Sequence, residues 1–247
     1  MLLGLVGSEM CIRDRTIGAT ELDLVAAAEE VSRRHGFGGT VQMRRFPLQC
    51  DRAVIASGRA GGVPSFFDSA IGGTGPHPMA GMGSGFTKLE ENQPILVDLV
   101  HVHRGYVVDA TRMFSIGGLS ERWLERLSDM AEVSDSVVAS LGRGDDCSKA
   151  WQIGSELAES MGYGEHLMGM QPDQSKFLGH SVGLQLDESP VVARGFDRPL
   201  VDNGVMAIEP KLVFNDGSIG VEDTWVKTKQ GMKRVTLDDS YDLVIDC

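Results

Sequence analysis

What this chain lacks narrows its function first. Its four cysteines, Cys11, Cys50, Cys147 and Cys247, stand far apart with no CxxC pair. That argues against a disulfide framework or a thiolate zinc site and makes a reducing cytoplasm the expected compartment. No apolar run approaches the roughly 18 to 20 residues that span a bilayer, and the N-terminus has neither the basic start nor the long apolar region of a secretory signal. Lys and Arg number 23 against 35 Asp and Glu, a formal charge of −12. The basic residues form no cluster, so no nucleic-acid or membrane partner is expected. Internal repeats and low-complexity tracts are absent as well.

What remains is enough for a core. With 247 residues and 42% hydrophobic content, the chain can form one globular domain or two small ones. Gly7–Arg15 resembles translated adapter sequence, so residues 1–15 are set aside as a non-native leader, and 16–247 is read as one N-terminally truncated domain. Thr20-Glu-Leu-Asp23 has the form of a capping box, and Leu22, Val25, Ala26 and Val31 follow at helical spacing up to Gly36, predicting a helix over 20–35. Further helices are predicted from Ser120 to Gly142 and from Asp146 to Met161. Val- and Ile-rich runs predict strands at 94–102, 106–114, 205–213 and 219–228, the first two joined by a tight turn at His103-Arg-Gly105. Residues 58–85 carry nine glycines together with Pro64, Pro76 and Pro78 and the pair Phe66-Phe67, and read as a long loop. The fold class is α+β with antiparallel strands.

Charges inside apolar runs are the chemical signal. Asp98 interrupts Pro94–Val100 and Glu209 interrupts Gly204–Pro210, where an unpaired carboxylate would cost several kcal/mol. Asp109 lies 11 residues after Asp98, so a hairpin brings both to one face. His180 and Glu222 complete a set of four carboxylates and one imidazole, which suits two divalent ions such as Mn, Co, Fe or Zn. His101 and His103 fall between the two aspartates, but strand alternation turns them to the opposite face.

The ordered segments Val-Asp98, Gly105-Tyr-Val-Val-Asp109-Ala-Thr-Arg112, Gly179-His-Ser-Val-Gly183, Ile208-Glu-Pro210 and Glu222-Asp-Thr224 resemble the metallopeptidase family with the pita-bread fold. That family includes methionine aminopeptidase, Xaa-Pro aminopeptidase, prolidase and creatinase, and the likeness extends over roughly 16–247. The resemblance implies two divalent ions, with Asp98 on one, Asp109 and Glu222 bridging, and His180 and Glu209 completing the other, Glu209 also moving a proton. It implies an enzyme acting on peptides, and a homodimer if the full-length protein carries the N-terminal domain through which the Xaa-Pro aminopeptidase, prolidase and creatinase members often dimerise. The lack of a spanning apolar run makes a soluble protein the expectation. Tyr106 and Arg112 are expected to brace the hairpin, Arg112 beside the carboxylates.

Three departures stand against this pattern. The family carries a second histidine seven residues after the ligand histidine, and Asp187 stands there; its substrate-facing histidine falls in register on Gly81, with His77 four residues earlier; its arginine two residues before the last glutamate is Gly220. Asp187 and His77 are therefore the candidate catalytic and substrate-binding residues beside Glu209. The first functional expectation is an Xaa-Pro-type aminopeptidase or dipeptidase. The second is a family member acting on a small non-peptide substrate, as the creatinase-like and dimethylsulfoniopropionate-cleaving relatives do. The third is a non-catalytic binding protein that keeps the fold.

Overall fold

A computed structural model describes residues 17–44, 49–50, 53–65, 69–236 and 242–247. The leader at 1–15 and the pair Phe66-Phe67 lie outside the described residues. Helix α1 (Glu21–Arg34) opens on the capping box foreseen from sequence: the Asp23 N–H donates to Thr20 Oγ1, and the Thr20 N–H to Asp23 Oδ2. Its apolar face, with Leu24 and Ala28, packs on Ile55, Val97 and Phe114. Glu21, fully buried, accepts from the Ser57 N–H at 2.8 Å and the Gly85 N–H at 2.7 Å. One carboxylate thereby ties together both ends of the glycine-rich segment. That segment opens with a 3-10 turn at Gly58–Gly62, so it is a loop with local structure at its start.

The central hairpin follows the sequence closely. Strands β1 (Val41–Gln42) and β2 (Gln49–Cys50) form a small pair of their own, and β3 (Ala53–Ser57) borders β4 (Ile95–His103), which turns into β5 (Tyr106–Ser115). Arg104 and Gly105 both take positive φ, 53° and 89°, as a tight hairpin turn requires. Cα partners are Asp98 with Thr111 and Val100 with Asp109, so the two aspartates are diagonal neighbours on one face, as alternation predicts. His101 points the other way, buried beside Phe37 and His103.

Helices α2 (Glu121–Arg143) and α3 (Cys147–Ser160) cover a second sheet. The expected stop at Gly142 is displaced: α2 continues to Arg143 and ends on Gly144 at φ 90°. A glycine within the last turn is tolerated there, and the left-handed cap falls on the next one. Gly154 in α3 lets the helices approach, since a Cβ would lie 2.6 Å from Val137 and 2.7 Å from Leu178. The sheet beneath contains β6 (Phe177–Ser181), β7 (Glu188–Ala193), β8 (Val205–Ile208), β11 (Asp223–Thr228) and β12 (Gly231–Arg234), in the order β12-β11-β8-β6-β7. Strands β6 and β7 were not foreseen, because Gly179, Gly183 and Pro190 punctuate them as they would a loop.

Two predicted strands are each divided. The run 205–213 breaks at Glu209-Pro210 into β8 and β9 (Lys211–Phe214), and 219–228 breaks at Val221-Glu222 between β10 (Gly217–Gly220) and β11. Proline has no N–H for the ladder, so at Pro210 the chain leaves one sheet, and β9 and β10 form a hairpin of their own. β13 (Val244–Asp246) adds in parallel to β5. The Thr111 N–H donates to the Glu222 carbonyl at 3.2 Å and joins the two large sheets. Both breaks therefore fall where the sheets meet. Among the described residues no helix is long and apolar enough to cross a membrane.

Candidate metal centre

Four of the five predicted ligands are buried at this junction, and Asp98 lies at its rim with its side chain 24% exposed. Asp109 is held by its backbone, whose N–H donates to Thr224 Oγ1 while the same hydroxyl donates to its carbonyl. Glu222 Oε2 accepts from Thr111 Oγ1 at 2.7 Å, and its carbonyl accepts from Arg112, which also pairs with Asp223 at 2.6 Å. Arg112 thus sits behind the carboxylates as expected, while Tyr106 is exposed at the hairpin end. His180 Nε2 lies 3.2 Å from Glu209 Oε1 and 3.8 Å from Asp109 Oδ2.

Asp187 is brought to the other edge of the same ring. Its Oδ1 is 3.5 Å from His180 Nδ1, and Nδ1 also lies 3.3 Å from the Ser181 carbonyl. Asp187 takes φ 59°, an unusual conformation for a residue with a side chain. A carboxylate behind a ligand-type imidazole fixes which nitrogen faces the site. His77 is exposed in its loop and accepts a bond from the Met79 N–H at 3.2 Å; none of its bonds reaches the carboxylates.

One residue in the cluster was missed. Lys211, 2% exposed, places its Nζ 2.7 Å from Glu209 Oε2, 2.8 Å from Glu222 Oε2 and 3.1 Å from Asp98 Oδ2. The signal was present in the sequence: Lys211 opens the apolar run Lys-Leu-Val-Phe214 just as Asp98 and Glu209 interrupt theirs. Its separation of two residues from Glu209 matched strand alternation.

The electrostatics follow from burial and this one ammonium. Burial and then the negative charge of Glu209 push Glu222 up to about 8 against Lys211. Burial, with Glu222, Asp98 and Glu209, raises Asp109 well above the usual carboxylate range. Burial alone would raise Glu209, but Lys211 and His180 hold it at about 2. Burial would lower His180, yet its hydrogen bond with Glu209 and the charges of Glu209, Asp187 and Glu222 carry it up to about 9. Lys211, likewise opposed by burial, is held protonated by Asp98, Glu209 and Glu222.

This donor set fits a divalent cation. Asp109, His180 and Glu222, all buried, each offer a ligand atom, and these atoms lie within 4.8 Å of one another. Asp109 Oδ1 and Glu222 Oε1 are buried without a hydrogen-bond partner, which is costly unless a cation takes them. Lys211 holds one oxygen of Asp98 and one of Glu222.

Comparison with known proteins agrees with the fold. The sequence profile of metallopeptidase family M24 matches residues 7–229. An Xaa-Pro dipeptidase of Pyrococcus horikoshii is 29% identical over 150 residues, 60% of this chain and 41% of that protein. The chain therefore spans about two-fifths of the length of the curated relatives it matches. An X-Pro aminopeptidase structure from Thermotoga maritima superposes with TM-score 0.79 at 23% identity, covering 98% of this chain and 60% of that one. A methionine aminopeptidase from Rickettsia prowazekii gives TM-score 0.70 at 13% identity, covering 95% and 93%.

Proposed function

The chain belongs to metallopeptidase family M24, with the pita-bread fold, and we propose that it is a metal-dependent hydrolase removing N-terminal residues from short peptides, of the Xaa-Pro dipeptidase or aminopeptidase type. The observation that carries this reading is the pair of buried, unpartnered carboxylate oxygens on Asp109 and Glu222 beside His180. A divalent cation held by Asp109, His180 and Glu222 supplies, when bound, Lewis acidity toward a water and a peptide carbonyl.

The chain's own groups do the rest. Asp187 and the Ser181 carbonyl hold His180 Nδ1, so Nε2 is the nitrogen turned to the cluster. Thr111 and Arg112 fix Glu222 through its carboxylate and its backbone. Glu209 is placed to take a proton from water and return it to the leaving amine. At about 2 it would be a weak base, but two cationic neighbours set that value. Lys211 and His180 keep it ionised, the form that can accept a proton.

Hydrolysis of Xaa-Pro dipeptides, longer Xaa-Pro peptides and Met-initiated peptides, measured after chelation and again with added Mn or Co, tests the proposal. Cleavage restored by metal is expected; a protein that binds no divalent ion and cleaves nothing would refute it. Asp187, in place of the family's second histidine, and the outward-turned His77 favour a second reading, a small non-peptide substrate. Stoichiometric metal with every peptide inert would select that reading.

A further inference from the structure

We infer that Lys211 is a built-in cation that takes the place of one of the two divalent ions, leaving this chain a single-ion centre; the inference rests on the metal-dependent reading above. The ammonium lies within 3.1 Å of Asp98, Glu209 and Glu222, three carboxylates that the two-ion arrangement would share between its metals. Lys211 holds the Glu222 oxygen that Thr111 also binds, while the other oxygen of Glu222, with Asp109 and His180, is left to one cation.

Charge supports the same count. Four carboxylates (Asp98, Asp109, Glu209, Glu222) and one ammonium leave three negative charges when His180 is neutral. One divalent ion reduces this to a single negative charge. A second would lie against the Lys211 ammonium, and desolvation makes such repulsion expensive.

The space for Lys211 is provided across the ladder. Lys211 pairs with Gly220, and a Cβ at Gly220 would stand 2.7 Å from both Lys211 Cα and Cγ. Gly220 occupies the register where the family carries arginine. A glycine on β10 makes room for a cation delivered from β9.

The test is metal stoichiometry. Wild type and the variants Lys211→Met and Lys211→Arg, purified as the same chain and confirmed folded by circular dichroism, are saturated with Mn and freed of excess. Bound ions are then counted by mass spectrometry and calorimetry. One ion per wild-type chain, two in Lys211→Met and one in Lys211→Arg are expected. Two ions in wild type would overturn the inference and leave the hydrolase reading standing. One ion in both wild type and Lys211→Met would show that Lys211 is not what excludes the second. A wild type that binds none would overturn the single-ion centre together with the metal-dependent reading.

Discussion

In the proposed reaction Glu209 has two duties in conflict, since it would stay ionised next to Lys211 and yet accept a proton. Removing its charge while keeping its shape separates these duties. Glu209→Gln is expected to lower kcat by a factor of about 100 or more with metal partly retained; near-normal turnover would show that another group moves the proton. His180 supplies the pH dependence. Its folded value of about 9 lies above its ordinary value, so in the metal-free protein its contribution to stability is complete below about 6.5 and is lost as pH rises through about 9. A cation needs the imidazole neutral, so metal binding releases that proton. Affinity for Mn should therefore rise with pH between 7 and 9, and a calorimetric titration showing a flat profile would mean that His180 is not a ligand.

At the scale of elements, helix ends and strand breaks carry the site. Lys227, buried on β11, donates to the carbonyls of Leu141 and Gly142 at 2.5 and 2.6 Å, meeting the exposed acceptors at the end of α2 with a positive charge. Lys227→Met is expected to cost about 1 to 3 kcal/mol, read from the midpoint of urea unfolding. An unchanged midpoint would mean those carbonyls find other donors. The helices were readable from periodicity and caps, with a displacement of two residues at Gly144 where two glycines competed to stop α2. The divided strands were not, because residues 205–213 and 219–228 are β-formers throughout. Only Pro210 hinted at a break, and pairing partners far away in sequence decided where each half went.

For the whole molecule, a cation that binds only the folded chain must stabilise it. At 100 times its Kd the gain is about 2.7 kcal/mol, which for a chain of this size raises Tm by roughly 5 to 11 °C. The shift should vanish with chelator. A melting curve indifferent to Mn, Co and Zn would say that the buried carboxylates are balanced without a metal. The cluster lies where the two large sheets touch through Thr111 and Glu222, so metal binding and the packing of those sheets are coupled.

By itself the sequence determined which residues would have to be neutralised. Asp98, Asp109, His180, Glu209 and Glu222 sit in apolar or glycine-bounded segments where burial of a charge demands a partner, and their order marks the family. It also set the shared face of Asp98 and Asp109, since strand periodicity and a short turn leave no other register. Only the tertiary structure decided what the partner is. Lys211 and Gly220 are nine residues apart along the chain and meet because Pro210 ends one strand and a hairpin returns. Asp187 reaches His180 because β6 and β7 pair across an irregular register. Hydrogen-bonded ion pairs need atoms about 3 Å apart, so which cation satisfies these carboxylates depends on distances that no local pattern encodes.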